Sequence, residues 1–193
     1  MKYNKLGQTD LVVSELCLGT MTWGTQNSAE DAFYQIEKSI DAGINFIDTA
    51  ELYPVNPISG VTQGESERIL GEWLSRSNVR DELIIATKIA GNGPKHIRNG
   101  EGITGKSLFT AINASLKLLK TDYIDLYQLH WPNRGSYHFR QNWRFDPTKQ
   151  NKNLVLDHMN EVLEACDILK KEGKVRAFGL SNESAWGTAQ WLR

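Results

Sequence analysis

Short apolar runs alternate with amphipathic stretches of ten or more residues along most of the chain. Residues 2 to 13 read as a small hairpin, with "LGQTDL" as its turn region. "SELCLGTM" (14–21) then predicts a first strand. "SAEDAFYQIEKSIDAG" (28–43) predicts a helix: Ser28 can cap it, Asp31 can complete a capping box, and Gly43 can stop it. Its apolar positions Phe33, Ile36 and Ile40 recur at helical spacing. The alternation continues with a strand at 44–50, a helix at 64–75, and the continuously apolar strand "ELIIATKI" at 82–89. A helix at 104–120 carries Leu108, Ile112, Leu116 and Leu119 on one stripe. Then come a strand at 123–131, a helix at 154–173, a strand at 175–182, and a helix beginning near Ser184.

Strands separated by helices predict repeated βαβ units and a parallel sheet. No sequence repeat or interdomain linker interrupts the order, so residues 1–193 read as a single domain. One connection is long. Residues 132–153, "PNRGSYHFRQNWRFDPTKQNKN", have the length of a functional lid or pocket wall, although surface loops also accept insertions cheaply.

Composition narrows the partners. The chain has 193 residues, 40% of them hydrophobic, and a formal net charge of -1. That supplies a sizeable core and argues against a nucleic-acid or polybasic membrane partner. No apolar run approaches the roughly 20 residues that span a bilayer. The polar start "MKYNKLGQTD" does not resemble a signal peptide. Cys17 and Cys166 are the only cysteines and are expected as buried free thiols, consistent with a reducing, cytoplasmic setting.

Chemistry-bearing residues gather where the strands end. Parallel α/β folds bind ligands at the carboxyl ends of their strands. The first strand delivers "GTMTWG", with Thr20 and Trp23, and the second delivers Asp48, with Tyr53 in the loop beyond. Lys88 lies near the end of the third, His130 at the end of the fourth, and Ser181 and Asn182 at the end of the fifth. Each has an ordinary structural reading when taken singly: a cap, a snorkelling lysine, a core histidine, a packed ring. Together they place an acid, an amine, a phenol and an imidazole on one rim, and buried charges need partners. Trp23, Tyr53, His130 and Trp131 are expected to wall a substrate pocket, with aromatic surface around a few polar groups.

Set in "GINFIDTAELYP", "IIATKI" and "LYQLHWP", the residues Asp48, Tyr53, Lys88 and His130 resemble the tetrad of the aldo-keto reductases. "LCLGTMTWG" and "KVRAFGLSN" are similar to that family's first- and fifth-strand signatures. "AELYPV", "TQGESE" and the insertion after "HWP" resemble the bacterial Tas-type members in particular. The resemblance implies a (β/α)8 TIM barrel, of which this chain covers an N-terminal hairpin and about the first five βα units. It is therefore expected to be the N-terminal part of a longer enzyme. An open five-stranded sheet would otherwise leave both edge strands unpaired.

The resemblance also implies a function. Hydride from NADP(H), with NAD(H) an open alternative, would reduce the carbonyl of a small molecule. Tyr53 would donate the proton, Lys88 would lower the pKa of that phenol, and Asp48 would hold Lys88. His130 would orient the carbonyl oxygen. Thr20, Met21, Asp48, Ser181 and Asn182 would contact the cofactor. No G-x-G-x-x-G follows a strand, so no Rossmann site is expected, and no metal site is expected either. Two other readings stay open: a Schiff-base barrel enzyme using Lys88, and a cofactor-sensing regulatory subunit of the same fold.

Overall fold

The computed structural model describes all residues, 1–193. Tyr3–Lys5 (β1) and Val12–Ser14 (β2) form the antiparallel hairpin. Leu18–Gly19 (β3), Phe46–Asp48 (β4), Ile84–Ile89 (β5), Ile124–Leu129 (β6) and Val175–Leu180 (β7) form one parallel sheet in chain order. The intervening helices are Ala29–Asp41 (α1), Glu65–Leu74 (α2), Gly105–Leu119 (α3) and Lys152–Lys171 (α4), and Ala185–Trp191 (α5) follows β7. The architecture is that of the first five βα units of a (β/α)8 barrel, entered through a hairpin.

Local chemistry sets the helix starts. Ser28 accepts from the Asp31 N–H while the Asp31 carboxylate accepts from the Ser28 N–H, which satisfies two otherwise unpaired donors. Thr104 and Ser107 form the equivalent pair on α3. Gly43 ends the α1 segment at φ +83°, a backbone region glycine enters without penalty. Asn151 caps α4, so that helix starts at Lys152, two residues before the expected start.

The first strand departs most from expectation. The apolar run 14–21 predicts eight residues, but the sheet uses only Leu18 and Gly19. Ser14 belongs to the hairpin, opposite Tyr3. Beyond Gly19 the chain turns back, with the Trp23 N–H donating to the Thr20 carbonyl and the Ser66 hydroxyl donating to the carbonyls of Thr20 and Trp23. The other strands are each shorter than predicted by two to four residues, because pairing ends where the connecting loops leave the sheet.

Two apolar clusters divide the work. Ile47, Ile85, Tyr127, Leu70, Ile112 and Leu169 belong to the larger one, between sheet and helices. Inside the sheet's curve, Ile84, Ala86, Leu126 and Ala177 meet Leu11 and Val13 from the hairpin region. The hairpin thus plugs the end of the barrel where the strands begin, leaving the opposite end for polar groups. Cys166 sits in the larger cluster, whereas Cys17, expected to be buried, is exposed. It lies just ahead of the shortened β3, outside the paired ladder that would have covered it. No helix is long and apolar enough to cross a membrane.

α2 is fastened to its neighbours at close range. A Cβ on Gly71 would lie 2.0 Å from the Leu118 carbonyl oxygen, so only glycine lets α2 approach α3 this closely. One turn earlier, the fully buried Glu67 carboxyl accepts a 2.6 Å hydrogen bond from the Thr87 hydroxyl of β5. Burial pushes the Glu67 pKa up to about 7. An unfolded chain ionises this group near 4.5, so the stability it confers is present below 4.5 and is lost as pH rises through 7. Glu67→Gln is expected to gain on the wild type by on the order of 3 kcal/mol between pH 5 and pH 8, read from urea midpoints. A stability difference that does not change with pH would show that Glu67 ionises normally in the fold.

Candidate active site

The parallel register gathers the rim residues. Asp48 pairs with Ala86 across β4 and β5, which puts Lys88 on the same inward face two residues further along. Lys88 in turn pairs with Gln128 on β6. The Lys88 Nζ donates to Asp48 Oδ2 at 2.6 Å and to the Thr49 carbonyl at 2.8 Å, and reaches the Tyr53 hydroxyl at 3.4 Å. Gln128 Nε2 donates to the other Asp48 oxygen at 3.2 Å. An ammonium that is almost entirely removed from water thus has a partner for each of its three protons.

His130 follows β6 and lies 5% exposed, edge-on to Tyr53 with ring centres 5.8 Å apart. Its Nδ1 is buried without a partner. Burial first, and the Lys88 charge second, lower its pKa to about 3. The imidazole is therefore neutral at ordinary pH and keeps one N–H to donate.

The acidity of Tyr53 departs from the expectation. Burial and the Asp48 carboxylate raise its pKa to about 12, where a nearby ammonium was expected to lower it. Burial is the larger cause, and the Asp48 carboxylate, which lies closer to Lys88 than Tyr53 does, adds to it. Burial also lowers the pKa of Lys88 itself, against the opposing pull of Asp48.

The loop carrying Tyr53 is held by residues that the sequence did not single out. The buried Glu51 carboxylate accepts from the Ala90 N–H and from the Arg98 guanidinium, which also donates to the Ala90 carbonyl. Gln63 Nε2 donates to the Glu51 carbonyl at 2.6 Å, and the Gly64 N–H donates to the Tyr53 carbonyl at 2.9 Å. These bonds fix the segment on both sides of the phenol. A second acid inside "DTAELYP" is a signal that could have found Glu51. Arg98, in an irregular segment beyond β5, carried none.

The remaining predicted residues separate into two groups. Thr20 and Met21 follow β3, and the Thr20 hydroxyl is buried without a partner. Ser181 and Asn182 follow β7; the Asn182 amide donates to the His130 carbonyl and to the Ser181 hydroxyl. Trp131 and Met21 line a cavity of about 800 Å³ together with Tyr53 and His130. Trp23 does not. It is 1% exposed within the main core, its indole N–H donating to Gln35 at 2.8 Å, because the turn after β3 folds it under α1. Its expected place in a substrate pocket is corrected accordingly.

Known proteins resemble this chain in sequence and fold. A family model described as the aldo/keto reductase family matches residues 15–193. The chain is 40% identical to protein tas of Escherichia coli over 196 residues, covering 100% of this chain and 55% of that protein. It is 37% identical to norsolorinic acid reductase stcV of Emericella nidulans, covering 92% of this chain and 42% of that protein. The aldo-keto reductase AKR11C1 from Bacillus halodurans, solved in its holo form, superposes with a TM-score of 0.67 at 32% identity, covering 94% of this chain and 50% of that one. The chain spans about half the length of the relatives it matches.

The neutral imidazole has a measurable consequence. His130 refuses a proton in the fold down to about pH 3 but accepts one near 6.5 once unfolded. Stability is therefore lost as pH falls through 6.5 toward 3. Between pH 7 and pH 5 the wild type is expected to lose on the order of 2 kcal/mol more than His130→Gln, measured by urea unfolding. Equal losses in the two proteins would mean that His130 is solvated and titrates freely.

Proposed function

The chain belongs to the aldo/keto reductase family, and on that premise we propose that it reduces an aldehyde or ketone to an alcohol with hydride from NADPH and a proton from Tyr53. The observation that carries this reading is the Lys88 ammonium, bonded to Asp48 and within 3.4 Å of the Tyr53 hydroxyl beside a neutral His130. Relatives that carry the name reductase support it, as does a structural neighbour solved in holo form. In this reading residues 1–193 act as one domain, the N-terminal part of the barrel, in the cytoplasm, where two free cysteines are at home.

The residues at the rim fit a nicotinamide. The unpartnered Thr20 hydroxyl, together with Met21, Asp48, Ser181 and Asn182, offers donors and acceptors suited to a carboxamide and its ring. The dihydronicotinamide, when bound, supplies the hydride. Tyr53 and His130 hydrogen-bond the carbonyl oxygen and orient the carbon toward the donor. As negative charge grows on that oxygen, Tyr53 transfers its proton to it. A phenol with a pKa of about 12 is fully protonated at working pH and still more acidic than the alcohol it forms. Lys88 stabilises the resulting phenolate, and Asp48 keeps Lys88 in place. Solvent then returns a proton to Tyr53.

A Schiff-base role for Lys88 is disfavoured by its hydrogen bonds. An amine whose three protons are all bonded has no free lone pair to attack a carbonyl.

In the full-length gene product, Tyr53→Phe is expected to lower turnover about a hundredfold or more while cofactor affinity changes little, read as NADPH oxidation with a panel of aldehydes. Wild-type turnover in that variant would remove Tyr53 from the proton-donor role. Lys88→Met is expected to cripple reduction similarly; unchanged rates would leave the ammonium without a catalytic part. NADPH binding without aldehyde-dependent oxidation in the wild type would favour a cofactor-sensing protein.

A further inference from the structure

The loop after β6 places charge at the cavity in an unusual way. A run of aromatic contacts starts at the candidate site: Tyr53 against His130 at 5.8 Å, His130 against Trp131 at 4.9 Å, and Trp131 against Phe139 at 5.5 Å. Gly91 makes room for it, since a Cβ there would stand 2.3 Å from the Trp131 ring. The Trp131 indole N–H donates to the Asn92 carbonyl, which fixes the middle of the run. Arg140 comes immediately after Phe139, and Arg144 lies one turn further along the same loop. Both line the cavity.

Neither guanidinium is paired. No carboxylate lies within ion-pair distance of Arg140 or Arg144, and neither side chain donates a hydrogen bond within the protein. The loop's other charges are engaged differently. Arg134 is held by Glu183, and Asp146, the only acid between residues 132 and 153, faces Lys149. No Asp or Glu lines the cavity. Phe139 and Arg140 both adopt left-handed backbone, at φ +56° and +64°, a conformation side-chain-bearing residues rarely take. Such strain is typically retained where it aims a residue at a ligand.

We propose that this cavity takes an aromatic carbonyl compound that carries an anionic group, a carboxylate or its equivalent, at the end remote from the carbonyl. The carbonyl meets Tyr53 and His130, the flat apolar body stacks along Trp131 and Phe139, and the anion is bound by Arg140 and Arg144. Aromatic walls bury the body of the ligand, and two planar guanidiniums suit the two oxygens of a carboxylate. This deepens the reductase reading and rests on it for the position of the carbonyl.

The test is binding, so that it stands apart from turnover. In the full-length gene product, quenching of Trp fluorescence is titrated with 2-naphthoate and with the neutral, isosteric 2-naphthamide. The naphthoate is expected to bind at least tenfold more tightly at low salt. Arg140→Gln/Arg144→Gln is expected to abolish that ratio, and Arg140→Lys/Arg144→Lys to keep most of it. Equal affinity for the two probes, or a ratio that survives the glutamine variant, overturns the proposal. Reduction is read separately with 6-formyl-2-naphthoate and NADPH. A retained naphthoate preference without turnover would support the anion site while overturning the reductase reading.

Discussion

A lysine ammonium held inside a barrel rim must find a partner for every proton it carries, because a buried unpaired charge costs several kcal/mol. Lys88 meets that demand with groups from a single neighbouring strand and its loop: the Asp48 carboxylate, the Thr49 carbonyl and the Tyr53 hydroxyl. The parallel register of β4 against β5 makes this possible, since it sets Asp48 beside Ala86 and so just below Lys88. A slip of one residue would turn Lys88 toward the helices, where Thr87 and Ile89 now pack. The apolar layer beneath, with the hairpin residues Leu11 and Val13 closing it, keeps water from that end.

Electrostatics at the rim follow from this pairing. Burial is the largest influence on both rings beside this pair, and it acts in opposite senses on the two. The phenol of Tyr53 is pushed up to about 12 and the imidazole of His130 down to about 3. Both are therefore neutral hydrogen-bond donors over the whole physiological range. In that state each can offer a hydrogen bond without carrying a charge of its own. A separate pair, Glu51 with Arg98, does no such tuning but ties the Tyr53 loop to the segment after β5.

The long connection after β6 adds what the strands lack. Strand ends supply reactive groups at fixed heights, whereas Trp131, Phe139 and Phe145 supply apolar wall, with Arg140 and Arg144 as the cationic element of the cavity. The division is usual in barrels, where a rigid scaffold presents chemistry and loops shape what may enter.

Periodicity and turn chemistry by themselves determined the order of strands and helices, the parallel sheet, and the helix starts at Ser28 and Thr104, because these depend on neighbours a few residues apart. They also exposed Asp48, Lys88 and His130, since a polar residue closing an apolar run stands out wherever the strand lies. Folding in three dimensions decided the rest. Trp23 is core rather than pocket because Ser66 pins the turn that carries it, and Cys17 is exposed because its strand is cut short. Arg98 acquired its role from Glu51, 47 residues away in sequence. The acidity of Tyr53 likewise depends on how much water its neighbours exclude and how near a carboxylate stands to an amine. Those distances exist only once the strands lie side by side.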